Sequence, residues 1–337
     1  MERDPRLDWM RALAIIGVVI IHTSTRYAQE GTWEMTAAVY VSTLVRPSIA
    51  IFLFLAGYLL HVRHFDGNAL SKKAKRVIVP YLLFSFLALA VQYRGGLGGY
   101  VSGSPGSFAL DLLLGRAWGI YYFVFVILSL YGIAFLALRF SWVTRSLGRV
   151  VALLLVINLA HQLWFDDAVV ALGCTVEAGV LEYQMRTPLL WAVFFFAGMW
   201  VRSSDGATKL LSKRSLVVLA WISVAAAQAA FYFSGVVNTD GYHSWVGTLF
   251  SVTTIGLLWR TWPVRAWVQR LSEISYYLFL SHIFLLEALD FWARRSGVEL
   301  ELWWMPVTTV GCVVVPWLLL SLLQRVTGDR TRWLLGA

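Results

Sequence analysis

Long apolar runs closed by short polar segments follow one another along the whole of this chain. A helix needs about 20 apolar residues to cross a hydrocarbon core. Ten such runs can be laid down, near 9–27, 38–60, 77–93, 118–138, 150–165, 187–201, 215–235, 244–259, 274–291 and 304–324. The pattern predicts an all-α fold, a polytopic transmembrane helical bundle of about ten spans. No internal repeat, low-complexity tract or linker sets a soluble part aside, so residues 1–337 read as one membrane-embedded domain.

The polar segments between the runs alternate in sign. With the amino terminus inside, 21 of the 28 Lys and Arg residues fall on the inner side, among them Arg3, Arg6 and Arg11, then Lys72, Lys73, Lys75 and Arg76. Glu30, Glu34, Asp166, Asp167, Glu177 and Asp240 fall on the outer side. Inner loops are the cation-rich ones, so both termini are expected in the cytoplasm. The first run keeps Arg11 and His22 inside its apolar stretch and no small-residue cleavage site follows it, so it reads as a retained span.

Composition supports the same class: 59% of residues are hydrophobic and only 14% charged, against roughly 25% charged in an average soluble domain. Loop asymmetry and anionic lipid headgroups account for the net charge of +9, so membrane lipids are expected partners and nucleic acid is not. Cys174 and Cys312 give neither a disulfide framework nor metal-ligand spacing. The outer stretches contain Glu30, Glu34, Trp164, Tyr242 and Trp245, groups that can hydrogen-bond to and stack on a sugar.

The segment LDWMRALAIIGVVIIHTS, residues 7–24, carries the most chemistry. Arg11 and His22 are separated by about 1100° of helix, three turns and about 20°, with a rise near 16 Å. They therefore share one face, and Asp8, three residues before Arg11, can brace its guanidinium. A face bearing a cation and an imidazole turns away from lipid, and such residues inside a membrane mark functional sites. A hydrogen-bonded packing histidine is the alternative.

The Arg-x10-His spacing of that segment resembles the signature of the acyltransferase 3 family of bacterial integral membrane acyltransferases. RPSIAIFLFLAGYLL (46–60), KKAKRVIVPYLLFS (72–85), YYFVFVILSLYG (121–132), FFFAGMWV (194–201) and ISYYLFLSHIFLL (274–286) resemble the family's later spans in order. The likeness covers the whole chain. Two departures stand out: Ile120, Tyr121, Tyr122 and Phe123 replace a His-Leu-Trp-Phe opening, and Ala56 replaces a serine before Gly57.

The resemblance implies acyl transfer, most simply of acetyl, from cytoplasmic acyl-coenzyme A to a hydroxyl of an extracytoplasmic or lipid-linked glycan in the bacterial cytoplasmic membrane. His22 is then the general base, or a transient acyl carrier. Arg11 with Lys73, Lys75 and Arg76, braced by Asp8, would hold the donor's phosphates. Arg76 lies four residues before Pro80, where a helix start would add backbone donors. Arg46, about eight residues into the second run, would orient the acceptor or stabilise an oxyanion, or else pair structurally with Glu34, Glu177 or Asp290. His282 matches a late histidine of the family, in catalysis or in packing. Glu30, Glu34, His161, Asp240 and His243 are the acceptor-side candidates. A transporter or flippase, a catalytically silent membrane subunit, a succinyl or longer donor and a non-carbohydrate acceptor are the rival expectations, and an assembly of several copies fits any of them.

Overall fold

A computed structural model describes residues 3–24, 26, 31–60, 62–93, 97–171, 184–234, 244–298, 301–328 and 334–336, with the side chains of 63, 97, 99 and 165–171 outside that description. Among the described residues every regular element is a helix and none is a strand. In chain order they are α1 (Pro5–Ser24), α2 (Trp33–Val45), α3 (Pro47–Tyr58), α4 (Gly67–Gln92), α5 (Leu97–Gly103), α6 (Pro105–Leu114), α7 (Tyr122–Ala137) and α8 (Ser141–Arg145). There follow α9 (Leu147–Ala171), α10 (Pro188–Ser203), α11 (Asp205–Ser212), α12 (Arg214–Ser234), α13 (Trp245–Leu258), α14 (Ala266–Glu273), α15 (Ser275–Ser296) and α16 (Trp304–Thr327).

Each of the ten apolar runs coincides with a helix over most of its described residues. Among the described residues seven helices are long and apolar enough to cross a membrane, counting α2 with α3 as one and α7 together with the 3-10 turn Gly119–Tyr121 that leads into it, and α14 with α15 would make eight. The shortfall from ten is a matter of length. Helix α10 has 16 residues and α13 has 14, about 24 and 21 Å at 1.5 Å per residue, short of a bilayer core. Helix α4 departs in the other direction. Asp66 caps it, its carboxylate accepting from the Ala69 amide at 2.8 Å, so helix already runs through Lys72–Arg76 where the sequence suggested a loop. Arg76 is thus nine residues into a helix, and the free backbone donors expected of a helix start are not there.

Helix α1 is the axis of the bundle, packed by α2, α3, α14, α15 and α16. Small residues let the backbones close in. A Cβ on Gly17 would come within 2.0 Å of Ser48 Oγ, while Gly57 and Gly198 face each other across α3 and α10, where a Cβ would meet the Phe195 and Phe54 carbonyl oxygens at 1.9 and 2.0 Å. Lipid tails are as apolar as leucine, so close van der Waals contact at such stripes is what holds membrane helices together. Pro47 interrupts the second run two residues after α2 ends, because it has no N–H for the ladder. A 74° bend at Ile274 separates α14 from α15 and turns α14 back against α1.

Candidate active site

A cavity of about 610 Å³ opens between α1, α3, α4, α7, α14 and α15. Arg11, Lys73 and Arg76 line one part of it, beside Tyr131 and Glu273, and His22 lines another with Ile49, Phe52, Phe123 and Phe279. The two groups are three turns of α1 apart, about 16 Å. Glu273 is already engaged, bound by Arg3 at 2.6 Å and Arg270 at 3.6 Å. Among the described residues Arg11, Lys73 and Arg76 have no ion-pair partner, and Lys73 Nζ lies 5.7 Å from the centre of the Tyr131 ring. Three unbalanced cations converging on one cavity are suited to a polyanionic group.

His22 reaches the cavity, and His282 stands behind it. Their ring centroids are 5.5 Å apart; His282 is fully buried and is not part of the cavity wall. Its Nδ1 lies 2.9 Å from the Leu278 carbonyl oxygen. A carbonyl can only accept, so in the neutral ring Nδ1 carries the hydrogen and Nε2 is left with a lone pair. No hydrogen-bond partner for that Nε2 occurs among the described residues. His282 therefore cannot touch a molecule in the cavity, and any part it plays runs through His22.

The other expected residues separate sharply. Lys75 is exposed and off the cavity, because two residues of helix turn it about 200° from Lys73. Asp8 is buried and braces Arg3 at 2.6 Å instead of Arg11, with Arg3 also donating to the Gln269 carbonyl at 2.9 Å. The bond to Asp8, ahead of that to Glu273 and against partial desolvation, holds the Arg3 guanidinium above its ordinary value. Arg3 ties the start of α1 to α14, so Asp8 supports the wall of the cavity without lining it.

Arg46 does not line the His22 cavity either. It lies at a separate void of about 20 Å³ with Asn158, Gln228, Thr248 and Ser251. There Asn158 donates to the Leu190 carbonyl at 2.6 Å and accepts from Gln162 and Thr248 at 2.9 and 3.1 Å. The structure thus separates Arg46 from His22, in place of the shared site the sequence suggested. Glu34 sits in the first turn of α2 and His161 on α9, both half-buried and neither at the cavity. Glu30, Asp240 and His243 lie outside the described residues.

Sequence reasoning missed Tyr122, Tyr131 and Glu273 as cavity residues. Nothing local could mark the tyrosines among 14 in the chain. The departure at Ile120–Phe123 was the one available signal, since Ile120, Tyr122 and Phe123 all line the cavity.

The model of the acyltransferase 3 family, described as an acyltransferase domain, matches residues 4–321. No curated protein and no solved structure matches the chain significantly. The family match begins just before α1 and ends within α16, enclosing every residue of the cavity except Gly336. With nearly its whole length matched and its apolar helices long enough to cross a bilayer, the chain belongs to the acyltransferase 3 family and is a multi-pass membrane acyltransferase.

Proposed function

We propose that this protein moves an acyl group, acetyl in the simplest case, from cytoplasmic acyl-coenzyme A to a hydroxyl of an extracytoplasmic or lipid-linked glycan in the bacterial cytoplasmic membrane. One observation carries the reading: a single cavity has Arg11, Lys73 and Arg76 in one part of its wall and His22 three turns away. Phosphates of the coenzyme sit on the cations, where arginine offers bidentate contacts. The pantetheine arm lies along α1 and delivers the thioester to the imidazole. The rings of Phe52, Phe123 and Phe279 crowd that end and favour a short acyl group.

The acceptor oxygen attacks the thioester carbonyl while His22 takes the hydroxyl proton. The tetrahedral intermediate collapses, the carbon–sulfur bond breaks, and His22 returns the proton to the departing thiolate. His282 packs behind His22 with ring centroids 5.5 Å apart and helps hold that ring at the cavity wall. Tyr122 is the hydroxyl on the cavity wall best suited to the oxyanion, a role for which Arg46 is in the wrong void.

Purified protein in detergent, supplied with labelled acetyl-coenzyme A, tests the reading. Turnover should disappear in His22→Ala while the donor still binds, and donor binding should weaken in Arg11→Ala. Full turnover in His22→Ala would remove the base, and absence of any donor binding or turnover in the wild type would favour a transporter or silent subunit.

A further inference from the structure

The cavity ends at His22. No residue beyond His22 on α1, and none beyond Phe279 on α15, belongs to its wall. Past His22 the described residues are closely packed. Thr23 and Ser24 are fully buried, as are Leu286 and Cys312 on the two helices α15 and α16 that pack against α1, and Thr23 Oγ1 meets Thr309 Oγ1 at 2.8 Å. Just past these residues stands a charged cluster that the catalytic reading does not use. Arg26, four residues on from His22, donates to Glu287 at 2.7 Å and to Asp290, both on α15.

Three features make this cluster more than a packing pair. It is partly exposed, with Asp290 at 18%, Arg26 at 24% and Glu287 at 37%, and none of the three belongs to the cavity wall. It joins α1 to α15, the two helices that bring His22 and His282 together. Arg26 is also near enough for its charge to act on both imidazoles. With one cation facing two carboxylates, it carries a net negative charge, opposite in sign to the cation group at the other part of the cavity.

We propose that Arg26, Glu287 and Asp290 form the acceptor port: a closed outer approach to His22 whose ligand is a neutral, hydroxyl-rich molecule. Its hydroxyls replace Arg26 as donors to the two carboxylates, and the released arginine lets α1 and α15 part above His22. Ligands with acidic groups at the reacting end are repelled by the carboxylates. In the resting state the cluster keeps water from that side off the thioester. This rests on the acyl-transfer reading for what passes through, but not for whether the port exists.

The test uses full-length protein in intact cells, with Cys174→Ser and Cys312→Ser and a single reporter, Ile21→Cys, on the cavity wall beside His22. A membrane-impermeant maleimide is added outside. With Arg26 in place the reporter should stay unlabelled, and Arg26→Ala should raise labelling about tenfold, the response to a loss of about 1.4 kcal/mol of closure. Lysed cells should label in both backgrounds, which shows the fold and the other mouth intact. Arg26→Lys should restore protection, and Glu287→Gln with Asp290→Asn should repeat the Arg26→Ala result if that variant does not accumulate. Equal labelling with and without the ion pairs overturns the port. A second measurement, release of free coenzyme A without acceptor, should rise in Arg26→Ala; no donor turnover in any variant, with Arg26-dependent labelling intact, would discard acyl transfer and leave the port standing.

Discussion

Two polar inclusions lie within this apolar bundle, and they are built on opposite principles. Around Arg46 and Asn158 the void is about 20 Å³, room for about one water, and Asn158, Gln162, Thr248 and the Leu190 carbonyl bond to one another. Around Arg11 and His22 the void is about 610 Å³, and the cations and the imidazole face space instead of partners. Inside a membrane a polar side chain must find something to bond. The first group finds it in the protein and acts as glue between α9, α10 and α13; the second leaves its capacity for a ligand. A buried charge or histidine is therefore informative about function only once the space beside it is known.

Replacing residues of each inclusion should separate activity from stability. The largest effect is expected in His22→Ala, a fall in kcat of about 10²–10⁴-fold, the usual worth of a positioned general base, with donor affinity kept. Arg11→Ala should raise the KM for acyl-coenzyme A by roughly ten- to a hundredfold, from a charged hydrogen bond of about 1.5–3 kcal/mol, and leave kcat within a small factor. His282→Phe should lower kcat on the order of tenfold, the effect of a loosened catalytic group; the pH–rate profile should move with it, whereas a packing residue would change only thermal stability. Asn158→Leu should do the reverse, lowering stability in detergent by about 0.6–2 kcal/mol with kcat/KM of the folded fraction unchanged. Lys75→Ala should be the smallest, within about 0.5 kcal/mol in stability and with donor KM unaffected, although it lies only two residues from Lys73. If Asn158→Leu abolished transfer in stable protein, the contrast between the two inclusions would be broken.

The bundle was legible because hydropathy is a local property. Each apolar run can be read without knowing its neighbours, and each coincides with a helix over most of its described residues. The Arg11–His22 face was legible for a related reason: helical phase ties residues three turns apart with no outside information. Errors began where a second element decides the outcome. Asp8 is at the right spacing for Arg11, yet Arg3 folds back and takes it while reaching Glu273 on α14. Arg46 has the depth to join His22, but the turn of the chain at Pro47 and the approach of α9 and α13 leave it at another void.

Sequence alone determined that this is a helical membrane bundle with an arginine and a histidine on one inward face, because apolar length and helical phase act within a single segment. Only the tertiary structure decided that His282, 260 residues later, backs His22; that Lys73 and Arg76 join Arg11 while Lys75 turns away; and that Arg46 stands apart. Those outcomes depend on how closely Gly17, Gly57 and Gly198 let α1, α3 and α10 approach and on where the bend before α15 aims its imidazole. Distances between helices arise from packing many segments at once, which no single stretch of the chain contains.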